Sequence, residues 1–459
     1  MAFAAPATRD DAWLARAVDR YHELCADPAL AGPEVVTRFA QAQVERGLTF
    51  GGVVQCRSLR PAFLTRERLE TLRRMVTLLW SAFRTLERRA LADSSLAAEL
   101  GLGPGERALA AIDPGYDDAT VVSRLDAYFS TLPRVLEYNA DSPAGMSYQA
   151  GQAALMRGLP VMARFADEFR MEELRADRAL RETLLGVWRE FATRKGAPAD
   201  APPSVAILDV ADVATSTEFR LVRDDLEAHG VPTLIVTPED LSYQDGELRA
   251  CGRRIDLVYK RLLVADFLAR YDLHHPLVRA YAQSAACVAS SFRCTIAHKK
   301  KALSVLRDPA RAAWFAPGER VAIAELVAQT YPYRSADRAQ LEATRARWAL
   351  KPNDAHGGEN VTLGWECDDV GWRAALDAAD DGDYVVQERV EAAKGAYPVF
   401  EVGAPERGAA VRTLIEDCGL YIFRGSLGGV LTRLSDEAVI NVSRGGQAIP
   451  TFIIEPVPA

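Results

Sequence analysis

Hydrophobic and polar positions recur with two different periods along this chain, and the changes of period divide it. Leu69, Leu72, Val76, Leu79, Phe83 and Leu86 return at three and four with Arg and Glu between them, which predicts an amphipathic helix; residues 1–110 read as mainly helical. Gly and Pro in GLGPGERALA (Gly101–Ala110) break that pattern. VVSRLDAYFSTLPRVLEYNADSPAG (Val121–Gly145) then reads as two short strands joined at a Leu132-Pro133 bend. Helical spacing resumes from about Tyr148 to Arg194, with Leu184, Trp188 and Phe191 on one face, and KGAPADAPP (Lys195–Pro203) reads as a surface linker.

Beyond the linker the pattern becomes strand–helix–strand. SVAILDV (Ser204–Val210), TLIVT (Thr233–Thr237) and IDLVYKR (Ile255–Arg261) read as strands, and Glu218–Gly230 as a helix ending at glycine. This predicts a Rossmann-like lobe. The turn after its first strand, ADVATSTE, holds no glycine, so the close backbone approach to a pyrophosphate that G-x-G-x-x-G permits is missing. A nicotinamide cofactor is excluded on that ground, and the absence of G-x-x-x-x-G-K-[ST] excludes a P-loop. The expected division is 1–110, 111–200, 204–275 and 280–459, and the fold class α/β of mixed character.

Candidate chemistry sits where charge interrupts strands. Side chains alternate faces, so Arg124 and Asp126 share one face of the first segment, and Glu137, Asn139 and Asp141 one face of the second. Folded back on each other, they gather hard oxygen ligands of the kind Mg²⁺ prefers; a solvated strand face has the same pattern. HKKKALSVLRDP places Lys299, Lys300 and Lys301 at the start of a helical run. Arg347–Trp365 reads as strand, loop, strand, with Lys351 leaving the first strand and Gly357 and Gly358 in the loop. Such a loop can cover phosphates, and it is equally the composition of an ordinary hairpin. Asp383–Glu391 reads as an apolar strand leading into Gln387 and Glu388. The remainder reads as several strands separated by turns at DCG, GSLGG and SRGG, with Arg412, Arg424 and Arg433 as polar entries.

Length and composition limit the classes. At 459 residues and 49% hydrophobic, the chain is long enough for two or three lobes. No segment approaches the roughly 20 apolar residues of a membrane span, and the start lacks a basic region followed by an apolar run, so no membrane partner and a cytoplasmic location are expected. A net charge of −8 argues against generic nucleic-acid binding. The seven cysteines are scattered without C-x-x-C, which points to free thiols rather than a disulfide framework or zinc site.

Taken together, Arg124-x-Asp126, Glu137-Tyr-Asn139-Ala-Asp141-Ser-Pro143, Lys301, Ala349-Leu-Lys351-Pro with Gly357-Gly358, and Val385-Val-Gln387-Glu388 resemble the circularly permuted ATP-grasp ligases, specifically the glutathionylspermidine synthetase-like family. The order of these motifs, over residues 120–445, matches the permuted arrangement. The resemblance implies an ATP-grasp fold in permuted order, in which the Rossmann-like lobe precedes the nucleotide-binding lobe. It implies that Asp126, Glu137 and Asn139 hold Mg²⁺ and that Arg124 contacts the transferred phosphoryl group. Lys301 and Lys351 would contact the phosphates of ATP, with Lys300 the alternative to Lys301, because three successive lysines leave the register open. Gly357 and Gly358 would cover the phosphates, and Gln387, Glu388 and the main chain near Val390 would line the adenosine site. The activity implied is an ADP-forming C–N ligase joining a small-molecule or peptide carboxylate to an amine. A nucleotide-binding protein without ligase activity and a small-molecule kinase are the alternatives. No residue names the substrates or the oligomeric state.

Overall fold

The computed structural model describes residues 3, 8–129, 132–211, 213–355, 357–440, 442 and 445–457. The predicted long helix runs over Arg66–Ala92. Thr65 caps it by accepting a hydrogen bond from the Arg68 amide, and the stripe from Leu69 to Leu86 is buried. That stripe packs with Leu125, Ala127, Tyr138, Leu420 and Ile422 in one core, which puts the helix beneath the strands that carry the candidate chemistry.

Those strands belong to an eight-stranded sheet. Its main path runs Ala62–Leu64, Gln447–Pro456, Ser426–Ser435, Ala409–Phe423, Val122–Phe129, Pro133–Asn139, with Phe169–Glu172 beside the second and Ala393–Phe400 beside the fourth. Every pairing is antiparallel except Ala62–Leu64 with Gln447–Pro456. Residues separated by about three hundred positions therefore become neighbours: Gly419 lies opposite Asp126 and Tyr421 opposite Arg124.

Val205–Leu208, Thr233–Val236, Leu257–Lys260 and Cys287–Ala289 form a parallel sheet with the Val205 and Leu257 strands at its centre. The three strands expected in this region are all present, with slightly trimmed ends. A further antiparallel sheet combines Thr330–Pro332, Tyr384–Glu388, Trp348–Pro352 and Thr362–Leu363 in that order.

Three expectations are corrected. The helical reading of 148–194 is interrupted: helices Met146–Arg157, Pro160–Phe165 and Ala176–Arg194 flank the strand Phe169–Glu172, which adds to the edge of Gln447–Pro456. The DCG triplet is no turn; Asp417, Cys418 and Gly419 lie inside the 15-residue strand Ala409–Phe423, because each finds a ladder partner on both sides or on Ser426–Ser435. Nor is GSLGG a turn. The hairpin reverses one step earlier at Arg424-Gly425, both with positive φ (+46° and +85°), as a two-residue hairpin requires. Among the described residues no helix is long and apolar enough to cross a membrane. All seven cysteines are free thiols, four of them buried.

Candidate functional site

The two strands Val122–Phe129 and Pro133–Asn139 pair so that Arg124 faces Asn139 and Asp126 faces Glu137. Directly after that pair the register shifts, because Ala127 is opposite Val135 and Leu136 is left as the extra residue of a β-bulge. A bulge re-aims side chains. Here it lets the successive residues Leu136 and Glu137 both line one cavity of about 190 Å³, together with Arg124, Asp126 and Asn139.

The same cavity is lined from the opposite sheet by Ala349, Lys351, Gln387, Glu388 and Val390, and from the loop between its strands by Gly357 and Gly358. Both glycines have positive φ (+65° and +74°), and a Cβ on Gly358 would lie 2.7 Å from Val439, so the loop closes against the Ala438–Ile440 segment only with glycine there. Lys351 donates to Gln387 Oε1 at 2.6 Å. Burial holds its ammonium down to about 8, against the attraction of Glu137, and Lys300 adds to the depression. Gln387 is buried; its amide also donates to Leu136 O and Thr330 Oγ1, which ties the two sheets together at the bulge. Glu388 accepts from the Gln329 amide (2.8 Å) and pairs with Arg134.

Of the three lysines, Lys300 reaches the cavity. Its ammonium lies 3.1 Å from Glu137 Oε1 and donates to Ala355 O at 2.6 Å. Lys301, the first choice from sequence, is turned away and paired with Asp383, and its backbone amide donates to the buried Asn353 side chain. The helix that begins at Lys301 accounts for this, since successive residues at a helix start point in different directions. Asp141 also leaves the cavity. It is a fully buried partner of Lys260 (2.6 Å), accepts from the Val264 amide at 2.8 Å, and so fixes the end of the Glu137 strand to the parallel sheet.

Two residues the motifs did not supply complete the cavity floor. Asp417 and Arg433 face each other across the C-terminal hairpin and are almost buried. Arg433 grips Asp417 with Nε (2.9 Å) and Nη2 (2.5 Å), and Nη2 also reaches Asp126 at 2.9 Å. Arg124 grips Asp126 with Nε (2.6 Å) and Nη2 (2.9 Å) and donates from Nη1 to Ala144 O. Gly419 makes room for it, because a Cβ there would stand 2.9 Å from Arg124 Cδ. The two carboxylates respond differently to burial. Desolvation works against ionisation of both, but two guanidiniums bring Asp126 down to about 2, whereas Asp417, with one, rises to about 6. The only signal for Arg433 in the sequence is charge within strand-like surroundings, which Arg412 and Arg424 share, and Asp417 lies in a DCG triplet that reads as a turn. Arg412 is exposed and paired with Asp436; Arg424 is a hairpin residue held by Asp118 and Glu190.

A second, larger cavity of about 700 Å³ adjoins the first and shares Arg124, Asn139, Arg433 and Gly357 with it. It lies beyond the C-terminal ends of the two central parallel strands, where Asp209 and Arg261 follow Leu208 and Lys260. That is where open parallel sheets bind ligands.

The donors suit magnesium in kind. Asp126 Oδ2 receives three hydrogen bonds, from Arg124, Arg433 and Asn139, while Oδ1 receives one; Asn139 uses its amide nitrogen for this, so its carbonyl oxygen is the other end of the group. Among the described residues no cluster of three or more His, Cys, Asp or Glu side chains forms a metal cage. Two facing carboxylates and an amide oxygen are the partial set Mg²⁺ uses when phosphates and water supply the rest.

No protein-family model matches the chain. No curated protein matches it either. Among solved structures it resembles a glutathione synthetase-like effector from Globodera pallida in its apo form, with a TM-score of 0.63 at 14% identity, over 93% of this chain and 98% of that one. A protein assigned as a gamma-glutamylcysteine synthetase from Methylobacillus flagellatus KT gives a TM-score of 0.37 at 9% identity over 69% of this chain and 76% of that one, too low to carry any argument. The first likeness is one of fold: this chain has a mixed α/β fold similar to that of the glutathione synthetase-like effector.

Proposed function

We propose that the protein is an ATP- and Mg²⁺-dependent carboxylate–amine ligase of the circularly permuted, glutathionylspermidine synthetase-like kind. The observation that carries this reading is the convergence of Arg124, Asp126, Glu137, Asn139, Lys351, Gly357, Gly358, Gln387, Glu388 and Val390, drawn from distant parts of the chain, on one cavity. Lys300 takes the phosphate-contacting part assigned to Lys301. Asp126, Glu137 and Asn139 hold the metal, which supplies charge neutralisation on the phosphates.

In this reading the nucleotide occupies the smaller cavity and the carboxylate and amine the larger. At about 190 Å³ the former is below the roughly 300–1,000 Å³ usual for ligand pockets, so admitting a nucleotide requires the Gly357-Gly358 loop to move off Val439. A carboxylate oxygen attacks the γ-phosphorus, the bond to the ADP oxygen breaks, and an acyl phosphate forms. The amine nitrogen then attacks the acyl carbon, inorganic phosphate leaves, and the ammonium proton passes to solvent. Arg124 lines both cavities, which puts a guanidinium where the phosphoryl group must cross.

The test is incubation of the protein with Mg²⁺–ATP and a small-molecule extract, with ADP and new masses measured. ADP together with a product equal to an acid plus an amine less one water is expected. A stable phosphorylated product, or no ADP with any fraction, overturns the ligase reading.

A further inference from the structure

Asp126 is already fully engaged by cations of the protein itself. Four donors converge on it, three of them nitrogens of two guanidiniums and the fourth the Asn139 amide. A divalent cation cannot share a carboxylate oxygen with a guanidinium at hydrogen-bond distance without strong repulsion, so metal binding and the arginine contacts compete. The two arginines are not equally committed. Among the described residues Arg124 has Asp126 as its only carboxylate partner, held by both ends of its fork. Arg433 reaches Asp126 through one nitrogen only, and the fork Nε–Nη2 belongs to Asp417. It can therefore give up Asp126 and keep its two bonds to Asp417.

We propose that Asp417 and Arg433 form a positioning pair: Asp417 holds Arg433 when a divalent cation takes Asp126, keeping a guanidinium at the junction of the two cavities. This rests on the reading of Asp126 as a metal ligand. Three features of the fold support it. Asp417 and Arg433 are cross-strand partners on the Ala409–Phe423/Ser426–Ser435 hairpin, so their pairing is set by that ladder and not by Asp126. Their side chains are only 6% and 12% exposed, so water is a poor substitute partner for the arginine. Arg433 lines both cavities, whereas Asp417 lines only the nucleotide-side cavity. Asp417 thus has no direct route to the second cavity, and its effect there passes through Arg433.

The probe is Mn²⁺–ATP, with affinity measured by calorimetry and the metal environment by electron paramagnetic resonance. Wild type, Asp417→Asn, Arg433→Gln and the double variant are compared. Losing Asp417 leaves Arg433, among the described residues, no carboxylate partner but Asp126, so Asp417→Asn is expected to weaken Mn²⁺–ATP about tenfold, and Arg433→Gln to tighten it severalfold. A charge-field effect alone would give the same two signs, but it would add in the double variant. Positioning through Arg433 predicts that Asp417→Asn changes affinity by less than about twofold once Arg433 is gone. An additive double variant overturns the inference while leaving the metal reading standing. Failure of wild type to bind Mn²⁺–ATP, or undiminished binding by Asp126→Asn, overturns the metal reading and the inference with it. Should Asp417→Asn not fold, judged by circular dichroism, Asp417→Glu replaces it in the same cycle; the longer side chain displaces the fork and must also weaken Mn²⁺–ATP only when Arg433 is present.

Discussion

Replacing Lys351 with methionine tests the nucleotide site in two independent ways. The side chain keeps its length and loses only the ammonium, which stands 2.6 Å from Gln387 in the cavity wall. One charge-assisted hydrogen bond is worth about 1.5–3 kcal/mol, so Lys351→Met is expected to weaken ATP binding by roughly one to two decades. The second effect is a proton. With its pKa brought to about 8 by burial, Lys351 is about half neutral at pH 8 in the ligand-free protein and about nine-tenths neutral at pH 9. Phosphate oxygens favour the charged form, so ATP binding takes up about 0.5 proton at pH 8 and about 0.9 at pH 9. Because the protonated form is the one that binds, affinity falls as pH rises above about 8. Calorimetry in two buffers of different ionisation enthalpy measures both quantities in one set of titrations. Equal affinity for the two proteins, or proton uptake that persists in Lys351→Met, would remove Lys351 from the phosphate site.

Other consequences are open to measurement. Arg124→Ala and Glu137→Ala should each lower turnover by about two or more decades while melting near the wild-type temperature, since preorganised charge contributes most in the transition state; with a cognate acid and amine, retained turnover in both would move the active site elsewhere. Lys260→Met strands the buried Asp141 carboxylate and should cost about 3–5 kcal/mol in urea denaturation, the usual penalty for breaking a buried pair. Glu87 sits in the core with Thr120 as its hydrogen-bond partner, and burial raises its carboxyl to about 8. Between its ordinary value near 4.5 and about 8 the folded state holds a proton that the unfolded state lacks. Stability should therefore decline through that window, by up to about 1.4 kcal/mol per pH unit from this group. Glu87→Gln removes that slope, and a pH series of melting curves that is unchanged in the variant would show that Glu87 is ionised in the fold.

The parts of the site legible in the sequence are those whose chemistry lies within one or two strands. Alternation alone brought Arg124, Asp126, Glu137 and Asn139 to one surface, and the pairing of Asp126 with Glu137 follows from a short antiparallel hairpin. The bulge at Leu136 was not legible, because nothing in PRVLEYN distinguishes the extra residue from a paired one. Lys301 was preferred over Lys300 because a run of three identical residues carries no phase; phase came from Asn353, which accepts the Lys301 amide and sets where the helix begins. Asp417 was hidden for a different reason. DCG has the composition of a turn, and only contacts with strands about 16 and 290 positions away keep it extended. Likewise the Phe169–Glu172 strand owes its conformation to an edge offered by Gln447–Pro456.

The position of Val122–Phe129 in the middle of the large sheet has a consequence for how the protein is made. One neighbour, Pro133–Asn139, is synthesised within moments of it, but the other, Ala409–Phe423, leaves the ribosome almost 300 residues later, and Gln447–Pro456, which seals Ala62–Leu64 into the sheet, later still. At about 5–20 residues per second, the hairpin bearing Arg124 and Asp126 waits of the order of fifteen seconds to a minute with one edge unpaired. Its two guanidinium–carboxylate contacts are also divided in time, since Arg124 reaches Asp126 locally whereas Arg433 arrives only with the last strands. Inward-pointing charge on an unpaired edge discourages wrong partners. The charged residues of the candidate site thus lie on the very edge that stays open until the last strands are made.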